Sequence, residues 1–120
     1  MRHQNKGREL GRERSQRKAL FRTMLGSLIM QEKIETTEAK AKELKDKIDR
    51  LINKAKKGQN TTRKLAVLRD LKKFIPAMAV KKLMGDFLNK FEKRNSGYTR
   101  IIKLSPRKSD SARMSIIEFV

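Results

Sequence analysis

Leu44, Ile48, Leu51, Ile52 and Ala55 recur at helical spacing and mark out one apolar stripe. That period fits an α-helix with one face laid on a core, and it does not fit a strand. The flanks agree. Thr37 suits the N-cap, Glu38 places negative charge in the first turn, Lys56 and Lys57 suit the last turn, and Gly58 suits the position just past the end. Glu38 with Lys42, Glu43 with Lys47, and Asp46 with Arg50 are i,i+4 pairs on the other faces. Away from its stripe, this helix reads as a solvated surface near charge balance.

The remaining elements follow from the same reading. Ser15 is a suitable N-cap for a helix carrying Leu20, Met24, Leu25, Leu28 and Ile29 and ending near Gln31. Gly26 weakens that helix but permits close packing. Thr61 or Thr62 caps a shorter helix with Leu65, Leu68 and Leu71 facing inward, which ends before Pro76. Pro76 suits the first turn of the next helix, where Val80, Leu83, Met84, Phe87, Leu88 and Phe91 form a second stripe. Asn95, Ser96 and Gly97 stop it. Short strands are expected over 33–36, 98–104 and 114–120, the last two separated by a polar loop that starts at Ser105 and Pro106. The fold class expected is therefore α+β: a small sheet of about three strands covered by about four helices. Residues 1–14, whose only large apolar side chains are Met1 and Leu10, read as a basic extended arm ahead of a single domain over 15–120.

Charge narrows the partners. The 120 residues hold 32 Lys and Arg against 13 Asp and Glu, a formal net charge of +19, with 37% hydrophobic residues. That apolar share is low for a globular domain and too high for a disordered basic tail. A chain so charged seeks polyanions: nucleic acid, anionic membrane or an acidic protein. The excess is unevenly spread. Over 1–22 stand Arg2, Lys6, Arg8, Arg12, Arg14, Arg17, Lys18 and Arg22 against Glu9 and Glu13. Over 59–75 stand Arg63, Lys64, Arg69, Lys72 and Lys73 against Asp70, and over 93–104 Lys93, Arg94, Arg100 and Lys103 with no acid. The first stretch prefers Arg, whose planar fork grips phosphate and stacks on bases. A single basic run is as well explained by solubility. Three on one small domain favour RNA phosphates as the partner.

Catalytic chemistry is not expected. His3 is the only histidine and lies in the arm, where RNA contact or exposure suits it better than a role as general base. The segment 7–11 lacks the residues of a phosphate loop. The acids near Leu44 are explained by ion pairing, so no metal, cofactor or small-molecule substrate is anticipated. There is no Cys. Tyr98 suits base stacking and sheet-edge packing equally. The first twenty residues lack the apolar stretch of a signal peptide, and no run approaches membrane-spanning length. A soluble intracellular protein is expected.

A resemblance gathers these features. Met1-Arg2-His3, Gly7-Arg8, Leu10, Arg12, Arg17-Lys18-Ala19 and Arg22 resemble the start of the bacterial large-subunit ribosomal protein seventeen family. So do Thr36-Thr37, the run from Ala39 through Lys40, Ala41, Lys42 and Glu43 to Leu44, and Gly97-Tyr98-Thr99-Arg100-Ile101. The same holds for Lys103, Arg107, Asp110, Ala112, Met114 and the final Ile117-Glu118-Phe119-Val120. Gln16 and Ser96 depart from it, where the family often has His and Gly. The resemblance implies a structural constituent of the large ribosomal subunit that binds the large ribosomal RNA, beside neighbouring ribosomal proteins in the cytoplasmic ribosome and not as a homo-oligomer. The expected RNA contacts are Arg2, His3, Lys6, Arg8, Arg12, Arg14, Arg17, Lys18, Arg22, Arg63, Lys64, Lys93, Arg94, Tyr98, Arg100, Lys103 and Arg107. Two alternatives stay open: a free nucleic-acid-binding regulator, and an interaction protein using the apolar face around Val80.

Overall fold

The computed structural model describes residues 7–59 and 62–120. Arg14–Gln31 form α1, Lys33–Thr37 form β1 and Glu38–Gly58 form α2. Lys64–Leu71 form α3 and Ala77–Leu83 form α4, followed by a 3-10 helix, Asp86–Phe91. Thr99–Lys103 form β2 and Met114–Phe119 form β3. The three strands make one antiparallel sheet in the order β1-β3-β2, and the fold is α+β.

Helix α2 is the axle of the molecule. Leu44, Ile48, Ile52 and Ala55 are wholly buried, as the stripe predicts. Around them pack Leu28 and Ile29 of α1, Leu71 of α3, Leu83 of α4 and Ile117 of β3. Strand register places Ile34, Ile117 and Ile101 side by side across the sheet. Because side chains alternate along a strand, that row faces the helices, while Glu118 and Arg100 pair on the other side at 2.8 Å. The backbone N–H of Glu38 donates to the carbonyl of Arg113 at 2.9 Å, which ties the start of α2 to the start of β3.

Close approach explains two glycines. A β-carbon on Gly26 would lie 2.8 Å from Cδ of Pro76, so its absence lets α1 pack on the start of α4. Gly58 was expected just past the end of α2. It is instead the last helical residue, with Gln59 as the C-cap, and it is needed because Val67 of α3 fills the space of its missing side chain.

Other expectations shift. α1 begins at Arg14 behind Glu13, so Ser15 lies inside the first turn. α3 begins at Lys64 behind Arg63 rather than at Thr62, and Thr61 lies outside the described residues. Leu65 points outward, 60% exposed. The α3 side chains that meet the core are Val67, Leu68 and Leu71, since the contact of Val67 with Gly58 sets the helix rotation. The second apolar stripe is buried as expected but is carried on two pieces. Gly85 takes extended backbone, and the chain resumes as the 3-10 helix. The redirection brings Phe87 to Phe119 at 5.0 Å between centroids and Phe91 to Tyr98 at 5.3 Å, both edge to face. It also consumes the apolar face around Val80 that an interaction protein would have needed.

Candidate nucleic-acid interface

Between the first half of α1, the middle of α2 and the turn after α3 lies a groove of about 730 Å³. Arg14, Arg17, Lys18 and Arg22 line it from α1, Lys47, Arg50 and Lys54 from α2, and Lys73 from the turn. No carboxylate is among the described residues that line it. The geometry follows from helical spacing. Arg14, Lys18 and Arg22 stand four apart, and Lys47, Arg50 and Lys54 stand at i, i+3 and i+7, so each set lies along one helix face. The floor is apolar, made by Phe21, Leu25 and Leu51, with Phe74 at the edge.

Gathering like charges is unfavourable unless something compensates, and part of the compensation is visible. Lys54 pairs with Asp70 at 2.8 Å, and that hydrogen bond holds the Asp70 carboxyl below its ordinary range. The Arg22 guanidinium donates to the Lys72 carbonyl at 2.9 Å, and that of Arg17 to the Arg12 carbonyl at 3.2 Å. Lys47 Nζ stands 4.8 Å from the centroid of Phe21. These contacts hold Lys54, Arg22, Arg17 and Lys47 in place, and among them only that of Lys54 is with a carboxylate.

The root of the N-terminal segment adjoins this groove. Leu10 packs against the core, and Arg8 reaches Glu43 of α2 at 2.8 Å. Leu10 and Gly11 both take left-handed backbone, with φ of 55° and 65°. The Arg12 N–H closes the turn onto the Glu9 carbonyl at 3.2 Å, and the Arg12 side chain bonds the Leu10 carbonyl at 2.8 Å. Glu43 thus serves Arg8, although its spacing suggested Lys47. Arg2, His3 and Lys6 lie outside the described residues.

The other anticipated contacts stand elsewhere. Arg63 and Lys64 are exposed at the start of α3, and Lys93 and Arg94 after the 3-10 helix. Arg100 is paired with Glu118 at 2.8 Å, Lys103 lies 3.9 Å from Glu38, and Arg107 pairs with Asp110 at 2.7 Å. Tyr98 is corrected outright. It is wholly buried, its hydroxyl donates to Asn53 Oδ1 at 2.6 Å and accepts from Lys56 at 3.0 Å, and its ring is edge-on to Phe91. No face remains for a base. Lys56 also bonds the Arg94 carbonyl, which locks the turn before β2.

Lys47, Arg50 and Lys54 line the groove but were not among the expected contacts, because α2 was judged by its charge total, while Lys73 was counted in the basic stretch over 59–75 without being singled out. Lys47, Arg50 and Lys54 share one helix face by spacing, but Glu43 and Asp46 stand four residues before Lys47 and Arg50, and only the structure shows Glu43 turned to Arg8. Among the described residues no group of three His, Asp or Glu is placed to hold a metal ion, and no helix is long and apolar enough to cross a membrane.

Comparison with known proteins adds an independent line. A family model described as Ribosomal protein L17 matches residues 20–120. The large ribosomal subunit protein bL17 of Thermodesulfovibrio yellowstonii is 46% identical over 121 residues, covering 100% of this chain and 87% of that protein. The protein of the same name from Shouchella clausii is 45% identical over 116 residues, covering 93% and 97%. That of Lactococcus lactis subsp. cremoris is 41% identical over 123 residues, covering 94% and 98%.

Proposed function

The chain belongs to the ribosomal protein L17 family, and from that premise we propose that it is a structural constituent of the large ribosomal subunit. In this reading it binds the large ribosomal RNA in the cytoplasmic ribosome, beside other large-subunit proteins, and supports translation as a scaffold with no catalytic step, no small-molecule substrate and no self-association. The observation that carries the RNA contact is the groove, where eight cations converge with no carboxylate among the described lining residues.

The mechanism is electrostatic. Arg14, Arg17, Lys18 and Arg22 on one wall and Lys47, Arg50, Lys54 and Lys73 on the other neutralise phosphates and release their counterions. Such contacts position the protein without reading sequence, so specificity comes from RNA shape. The segment 1–14 extends the contact beyond the groove through Arg2, His3, Lys6, Arg8 and Arg12, with Leu10 and Arg8 fixing where it leaves the body. Arg63, Lys64, Lys93, Arg94, Arg100, Lys103 and Arg107 orient the remaining surface.

Two measurements test this. Tagged protein is expected to travel with large subunits through a density gradient, whereas a free regulator would stay near the top. Affinity of the isolated chain for RNA is expected to fall steeply with salt, each phosphate contact adding about 0.7 to 0.9 to the log–log slope. A flat response would overturn the phosphate mechanism.

A further inference from the structure

We infer that the basic groove receives an unpaired nucleotide whose base stacks on Phe74, so that the RNA seated there is single-stranded or bulged rather than a continuous duplex. The inference rests on the phosphate-binding reading and goes beyond it.

Phosphate binding alone accounts for the cations but not for the rest of the site. The floor residues Phe21, Leu25 and Leu51 belong to the core and are only 4–6% exposed, so the apolar surface open to a ligand is the ring of Phe74, from which a phosphate gains nothing. A base does, because its faces are poorly hydrated and stack on aromatic rings. Phe74 supplies the ring. It sits in the turn after α3, between Lys73 and the buried Ile75, and keeps 44% of its surface exposed while lining the groove. A lone exposed apolar residue is ordinary. One at the edge of a depression ringed by cations has the composition of a single-strand site, in which charged groups track the backbone and an aromatic ring holds the base. Lys54 Nζ stands over one face of Phe74, 4.6 Å from its centroid, while pairing with Asp70, so a base takes the ring's other face or displaces that ammonium toward the nucleotide's phosphate. Shape agrees: a concave groove admits a splayed nucleotide, whereas the bases of a duplex stay stacked inside it.

The test uses the full chain and two labelled RNAs of equal phosphate count, one single-stranded and one a blunt duplex, with anisotropy read at several salt concentrations. Phe74→Leu is expected to weaken single-strand binding roughly ten-fold or more while leaving the salt slope and the duplex affinity unchanged. Phe74→Trp is expected to retain single-strand affinity. Because the sequence has no other Trp, its emission reports the site directly and is expected to be quenched by the single strand and not by the duplex. Melting curves for both variants check that the fold survives. Equal single-strand affinity for wild type and Phe74→Leu, or an unquenched Trp, would overturn the stacking inference while a steep salt slope left the phosphate reading standing. Weak, salt-insensitive binding of both RNAs would remove the phosphate reading, and the inference with it.

Discussion

A β-carbon at position 58 would lie 2.6 Å from Cβ of Val67, closer than packed atoms tolerate. Gly58→Ala is therefore expected to destabilise the fold by about 1–3 kcal/mol through overpacking, despite the better helix propensity of Ala. Gly85→Ala is the control. The nearest atoms to its β-carbon are at 3.5 Å, and denaturant unfolding should find it close to neutral. Asp110 offers a second residue-scale test. The Arg107 guanidinium and then the Ala112 N–H hold its carboxyl down from 3.8 to about 2. A depressed carboxyl stabilises the folded loop at pH values above its unfolded pKa, and that contribution fades as pH falls from the ordinary value toward 2. An NMR titration should place the Asp110 midpoint near 2 in the wild type, and Arg107→Gln should move it toward 3.8. A midpoint unmoved by that substitution would show that the pair does not set it.

At the scale of elements, α2 divides its duties by face. One side buries Leu44, Ile48 and Ile52, and another presents Lys47, Arg50 and Lys54 to the groove. Lys47→Gln and Arg50→Gln are each expected to lower the salt slope of RNA binding by somewhat under one unit, with no change in sequence preference. Lys42, paired with Glu38 at 3.0 Å and not lining the groove, should leave the slope unchanged on conversion to Gln. Binding isotherms at four or five salt concentrations decide the matter. The elements were largely legible because periodicity reports burial. It does not report the direction of an axis. The stripe from Val80 to Phe91 was read as one helix, yet the break at Gly85 keeps every one of its large side chains inward while turning the backbone. Leu65 was misread for a related reason: the rotation of α3 follows a contact made outside the helix, Val67 on Gly58.

For the whole molecule, the root of the N-terminal segment is held at Leu10 and Arg8, yet Leu10 only packs against the wholly buried cluster from the outside. Deleting residues 1–12 is therefore expected to preserve a cooperative thermal transition, read by circular dichroism, while reducing RNA affinity. A non-cooperative melt would assign that segment to the body. The location of the charge was legible in part. Segment totals found the basic run that became the α1 wall, but the opposing wall arises only when α2 and the turn after α3 come alongside it. Tyr98 went the other way, because nothing local announces that Asn53, Lys56 and Phe91 will enclose it. The sheet order carries a last implication, for the chain as it leaves its own ribosome. β3 is the partner of both β1 and β2, and it is translated after them, so neither early strand has a neighbour until residues 114–119 emerge. The walls of the groove come from α1, α2 and the turn after α3, all translated earlier. The nascent protein thus carries every residue of the basic groove before its sheet is able to close.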